Sequence, residues 1–323
     1  MPVDESGVNQ ETKAPQSSGA SPAAEGCPPP LQWQEVLAQF QARADAWYLD
    51  RPGYRLSGRS LGTGSPLYLL GGFGGTHELY ALLAWLLQDQ FRCVVWDYPG
   101  MTPQTRGGAV CTLQDLSRDV AAVAETAGDA AIDVYAPSFG SLVALQTLRE
   151  FPGLIRRAIL QEGFAHRPLS RFERWLSRAC RFYPGSLARF PGSRTVREHN
   201  HRRWFPPFDE TRWQFTEMIA GRVPVAALAW QGSLIRDADL RGHLPHIQQP
   251  VLLLATEGEG AAAQACRREL QERLANATTE SLVGAGQYPY LTHPHRVAKI
   301  VREFLQADQN QDSSCRSSPQ GRS

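Results

Sequence analysis

The stretch Val134-Tyr135-Ala136-Pro137-Ser138-Phe139-Gly140-Ser141 decides how this chain is read, because it takes an apolar strand straight into a helix through a serine. A serine at such a corner sits on a strained turn, and small residues two positions before and after it let strand and helix close on one another. Ala136 and Gly140 meet that requirement. Amides of the first helical turn then face any negative charge that develops at Ser138, and the Phe139 amide is the natural oxyanion donor. A plainer alternative is that Ser138 only caps the helix.

Outward from this corner, short apolar runs alternate with amphipathic segments. The runs cover residues 67–70, 93–96, 132–135, 158–160, 251–254 and 280–283, and the helical patterns cover 78–88, 113–125, 140–150, 262–274 and 295–305. Strands that are apolar almost throughout are covered on both faces, and strand–helix alternation implies crossovers in a parallel sheet. Residues 54–61 alternate polar with apolar and would add an antiparallel edge hairpin. The expected fold class is therefore α/β, a doubly wound and mostly parallel sheet.

Residues 164–232 break the rhythm: they hold no comparable strand run, yet they carry Trp175, Trp204, Trp213 and Trp230. Inserted after strand six at the carboxyl end of a parallel sheet, they would form a mainly helical cap over the ligand crevice. The expected organisation is a tail at 1–30, one domain at 31–306 with the cap at 164–232, and a second tail at 307–323. Both tails are too poor in large apolar side chains to offset the entropy of ordering them.

A second local signal precedes the serine. The run 67–70 enters Gly71-Gly72-Phe73-Gly74-Gly75-Thr76, a loop with almost no side chains, where backbone amides can lie close to a ligand. Gly72 and Gly74 leave the Phe73 amide accessible, and it is the second candidate oxyanion donor. The loop lacks GxGxxG spacing into a helix and a following Lys-Ser/Thr, which excludes dinucleotide and P-loop readings. No cofactor and no metal are expected.

The balance of 33 Lys+Arg against 32 Asp+Glu excludes the strongly basic footprint of a dedicated nucleic-acid binder. The longest apolar candidate, residues 79–87, is about half the roughly 18 residues a transmembrane span needs. Asp4 and Glu5 replace the basic start of a signal peptide, and six cysteines show no CxxC pair, so a cytoplasmic protein with free thiols is expected.

Taken in order, the glycine loop, Asp97-Tyr98-Pro99-Gly100, the Ser138 corner, Pro250-Val251-Leu252-Leu253-Leu254 and Gly284-Ala285-Gly286-Gln287-Tyr288-Pro289-Tyr290-Leu291 resemble the α/β-hydrolase superfamily over residues 54–305. The resemblance implies a triad in the order serine, acid, histidine. Carried over by position, Ser138 is the nucleophile, the acid falls on Glu257 or Glu259, and the base falls on Gln287. An amide has no nitrogen that titrates near neutrality, so Gln287 cannot take the serine's proton. His77, His166, His199, His201, His293 and His295 are the substitutes to consider. His293, six positions beyond Gln287, is the one that a local rearrangement would bring back. The segment from Gly286 to Leu291 also resembles maspardin-like members of the family, which implies a non-catalytic role in protein binding.

Two readings stay open. One is a serine hydrolase acting on a small apolar or acyl substrate, an ester or thioester. The other is a catalytically silent relative that binds a ligand or protein partner through cap and crevice. Between Ala165 and Arg222 twelve arginines face five acids, so the cap concentrates the positive charge of the chain and suits an anionic partner.

Overall fold

The computed structural model describes residues 32–102 and 111–306. The tails expected at 1–30 and 307–323 lie outside the described residues.

Eight strands form one sheet: β1 (Asp45–Arg51), β2 (Tyr54–Leu61), β3 (Ser65–Leu69), β4 (Phe91–Asp97), β5 (Ile132–Pro137), β6 (Ile155–Gln161), β7 (Val251–Thr256) and β8 (Ala277–Leu282). Their order is β1-β2-β4-β3-β5-β6-β7-β8. The β1–β2 and β2–β4 pairs are antiparallel, and every later pair is parallel. Each apolar run of the sequence lies in a strand, with Leu70 and Val283 just beyond strand ends. The two antiparallel pairings supply the edge expected at 54–61. The order reverses between β3 and β5, so the carboxyl ends of these strands open on a crevice.

The main-chain helices are α1 (Trp33–Arg43), α2 (Ala81–Leu87), α3 (Leu113–Ala127) and α4 (Phe139–Glu150), with α9 (Ala261–Arg273), α10 (Pro289–Thr292) and α11 (Pro294–Gln306) towards the end. Thr112 starts α3 with a capping box to Asp115, and Gly128 ends it in the left-handed conformation at φ 74°. Helix α2 packs against both α1 and α11, and α3 packs against α4. The main core gathers Tyr68, Trp96, Val134, Phe139, Leu142, Leu160 and Leu253 between sheet and helices. At about 1.5–3 kcal/mol for each large apolar side chain fully buried, these contacts dominate the fold.

Between β6 and β7 the chain inserts α5 (Arg171–Ala179), α6 (Ser193–His201), α7 (Glu210–Arg222) and α8 (Val225–Asp237). The segment is helical apart from turns and one isolated bridge, Ser186 with Pro224. Helix α8 runs past the boundary expected at 232, because Ile235 is still buried in the main core. Among the described residues no helix is long and apolar enough to cross a membrane. Cys93, Cys111, Cys180 and Cys266 are free thiols.

Candidate active site

Ser138 sits between the last residue of β5 and the first of α4 with φ 48° and ψ −113°. For a residue with a β-carbon this region costs on the order of 1–3 kcal/mol. The strain persists because the corner is tied on both sides. The Ser138 amide donates to Gln161 O at 2.8 Å, and its carbonyl accepts from the Ser141 amide at 3.0 Å and from Ser141 Oγ at 2.6 Å. Burial of Phe139, Leu142 and Val143 on α4 outweighs the strain. Gly140 lies against the end of β3, where a β-carbon would stand 2.7 Å from Leu70 O and 2.9 Å from Gly71 O. Only glycine lets helix and strand approach so closely. Ser138 makes no side-chain capping bond, so its half-buried hydroxyl is not spent on the helix.

The glycine loop faces this corner. Gly72 N donates to Tyr80 Oη at 2.8 Å, Gly74 N donates to Gln231 Oε1 at 2.9 Å, and Gly75 N donates to Gly72 O at 3.0 Å. The Phe73 amide meets no acceptor among the described residues. The Phe139 amide, at the first position of α4, has no intrahelical acceptor. Gly74 adopts φ 69°, and a β-carbon there would meet Leu228 Cδ2 at 2.9 Å. The loop is thus fastened by α8 of the insertion. Gln231, fully buried, also reaches Met101 Sδ at 3.6 Å.

The residues named for acid and base separate. Glu257 is exposed and accepts from the Gly284 amide at 2.6 Å. Glu259 is buried and receives Arg267 Nε at 3.1 Å, while its Oε1 has no partner among the described residues. His293 contacts Thr292 Oγ1 at 2.9 Å, and its pKa is lowered by burial and by the guanidiniums of Arg296 and Arg212. His77 contacts Asp97 Oδ2 at 2.9 Å. Burial opposes its protonation, but the Asp97 bond and charge prevail and raise its pKa. His166 contacts the Ala238 carbonyl, and His201 meets the Tyr288 ring edge-on at 5.3 Å. His199 and His295 are exposed. Among the described residues no histidine hydrogen-bonds Ser138.

Glu162 is a buried carboxylate that sequence reasoning missed. It directly follows β6 at φ 47°, the other non-glycine residue with positive φ among those described. Thr256 Oγ1 donates to its Oε1 at 2.8 Å, and the Gln287 side chain lies near enough to oppose the rise of its pKa. Burial raises its pKa to about 7, against the Thr256 bond; the nearby Glu259 charge pushes it the same way as burial. Gln161 Nε2 donates to the Gln287 carbonyl at 3.1 Å and fixes that backbone as well. The signal was the polar pair Gln161-Glu162 closing the apolar run 158–160 at its carboxyl end. Gln161 thus ties together the Ser138 amide and the Gln287 backbone, with the Glu162 carboxylate next in the chain.

Trp204 of the insertion lies against the loops that follow β7 and β8. Its indole lies on Gly286 and Gly258, where a β-carbon on Gly258 would stand 2.9 Å from the indole Cε2. Two cavities lie apart from Ser138. One of about 650 Å³ in the insertion is lined by Arg194, Arg197, Arg202, Glu198 and Glu217. The other, of about 320 Å³, is lined by His77, Asp97, Arg59 and Arg222. No group of residues that could hold a metal ion occurs among those described.

Comparison with known proteins agrees with this fold. Residues 65–294 match the family model described as the alpha/beta hydrolase fold. No curated protein matches the sequence significantly. Among solved structures, a thermophilic esterase from Thermogutta terrifontis, malate bound, superposes with a TM-score of 0.70 at 21% identity, covering 82% of this chain and 99% of its own. An enol-lactonase from Burkholderia xenovorans LB400 gives 0.69 at 22%, covering 80% and 99%. A putative lipase from Acinetobacter baumannii AYE gives 0.69 at 17%, covering 90% and 100%. The family match over most of the chain, on a sheet of this order with a strained serine at its centre, means that the protein belongs to the alpha/beta hydrolase fold family.

Proposed function

We propose that this protein is a slow serine hydrolase of small acyl substrates, esters or thioesters, with Ser138 as nucleophile. The observation that carries the reading is the Ser138 backbone at φ 48°, with a hydroxyl that caps nothing. Such strain serves no purpose in a plain helix start. Solved relatives that include an esterase and an enol-lactonase support an ester-type substrate.

In this reading Ser138 Oγ attacks the acyl carbon, and the amides of Phe73 and Phe139 hold the oxyanion. A water takes the serine proton and passes it to the leaving alcohol or thiol, and a second water hydrolyses the acyl-serine. Glu162 and Gln287 stand where acid and base would be. Gln287 orients but does not accept a proton. Loss of the base in a serine triad costs on the order of 10⁶ in turnover and leaves about 10³–10⁴ over water. Substrates with good leaving groups, thioesters above all, fit such a site. The chemistry asks for no metal or cofactor, and the free thiols suit a cytoplasmic protein.

The second reading, a silent protein that binds a ligand or partner, is favoured by one observation: Gln287 takes the chain position of the base and is exposed, directly after the Gly286 on which Trp204 lies. A fluorophosphonate probe on the full chain separates the two. Labelling that disappears in Ser138→Ala supports the hydrolase. Absence of labelling under conditions that mark a control esterase overturns it and leaves the binding protein.

A further inference from the structure

We propose that the outer face of α5, with the single 3-10 turn Cys180–Phe182 that continues it, docks on an anionic lipid surface. Two stripes run along this segment with the same helical spacing. Arg171, Arg174, Arg178 and Arg181 recur at i, i+3, i+7 and i+10, and Phe172, Trp175, Ala179 and Phe182 recur one residue later. At 3.6 residues per turn each set lies on one face, so a row of guanidiniums runs beside a row of aromatic side chains. All eight residues are exposed, and the three aromatics are exposed by 67%, 61% and 85%. Phe172 and Trp175 stack with ring centroids 6.1 Å apart.

The opposite face is spoken for. Leu176 packs on the small cluster of Cys180, Val225 and Ala229, which joins the segment to α8. Ser170 and Glu173 form a capping box at the start of α5. The helix is therefore folded before it meets anything, and docking carries no ordering cost for the backbone. The one acid of the helix, Glu173, is engaged with Ser170 and Arg167 rather than with the arginine row.

Charge and shape together select lipid. Guanidiniums bind phosphate, aromatic side chains sit at the level of the headgroups, and a basic and aromatic amphipathic helix lies in that interface. A second copy of the chain would set one arginine row against another across a two-fold axis. The aromatics stand out from the surface instead of lining a groove, which suits a deformable medium. This inference does not depend on the chemistry at Ser138.

Co-sedimentation of the full chain with vesicles tests it. Vesicles of phosphatidylcholine that contain phosphatidylglycerol should retain the protein, and vesicles of phosphatidylcholine alone should not. High salt should release it. Neutralising all four arginines (R171Q/R174Q/R178Q/R181Q) should weaken partitioning at least about 100-fold, since each basic residue near an anionic surface contributes roughly 1 kcal/mol. Brominated lipid should quench the tryptophan emission of the wild type, and W175F should lose most of that quenching. Binding that the quadruple variant retains, binding indifferent to phosphatidylglycerol, or no binding to either vesicle would overturn the proposal. So would self-association or capture of an acidic protein through this face without vesicle binding.

Discussion

Trp204 lies on Gly286 so closely that the glycine has no room for a β-carbon, and the same indole bears on Gly258. A residue of the insertion is thereby keyed to the two loops that follow β7 and β8, one of which carries Gln287. Gly286→Ala should destabilise the protein by about 1–3 kcal/mol through overpacking. Trp204→Ala in the same chain should restore much of that loss, because the two residues share one contact. A double-mutant cycle by chemical denaturation checks this: strictly additive losses would mean that the pair is not coupled.

Ser138 offers a second test, since its backbone strain and its hydroxyl can be separated. Ser138→Ala removes the hydroxyl and keeps the strain, whereas Ser138→Gly removes both. The glycine variant should be the more stable of the two by about 1 kcal/mol, because glycine adopts positive φ freely. Neither should react with a fluorophosphonate. Equal stabilities would show that φ 48° costs nothing here.

Glu162 sets a pH dependence with a definite sign. Its ordinary pKa of 4.5 is raised to about 7 in the fold, chiefly by burial. The folded state then holds a proton that the unfolded state releases, so this contribution is full below about pH 4.5 and fades as pH rises through 7. The effect is on the order of 3 kcal/mol. Asp119, raised to about 6 mainly by burial beside Arg51 and Tyr54, acts in the same direction. Stability of the wild type should fall across this window. In Glu162→Gln the slope should flatten to the part left by other groups with raised pKa, Asp119 and His77 among them, as read from urea midpoints at several pH values.

Gln287→His is the constructive experiment. The imidazole would stand near the Glu162 carboxylate, whose rise in pKa the Gln287 side chain now opposes. General base catalysis is typically worth 10²–10⁴-fold. Labelling of Ser138 and release of an activated ester should therefore rise by about that factor, with a pH profile that follows the new imidazole. An unchanged rate would mean that position 287 does not address Ser138.

The sequence and the fold carry different shares of this account. The central strands were legible because burial on both faces leaves an unbroken apolar run, as in Val251-Leu252-Leu253-Leu254, fully buried in β7. Strand β1 was not, because an edge strand with Asp45, Asp50 and Arg51 carries no such mark. In the site, Ser138, Gly140 and the Phe73 loop were readable because strand, turn and helix are contiguous and their requirements are local. The replacement of histidine by Gln287 was equally a matter of sequence.

Tertiary structure decided the rest. Gln231 reaches Gly74 across 157 positions, and Glu162 meets Thr256 across 94. No local periodicity records such pairings, because they arise only when separate loops converge at the carboxyl ends of the strands. Glu257 and Glu259 stood at the expected acid position in the chain, yet one serves the Gly284 amide and the other serves Arg267. The sequence by itself determined that a strained serine and an open amide loop exist and that no histidine follows at the usual place. Only the packed sheet and the insertion above it determined which carboxylate stands behind Gln287, since burial and hydrogen bonding, not order along the chain, set that choice.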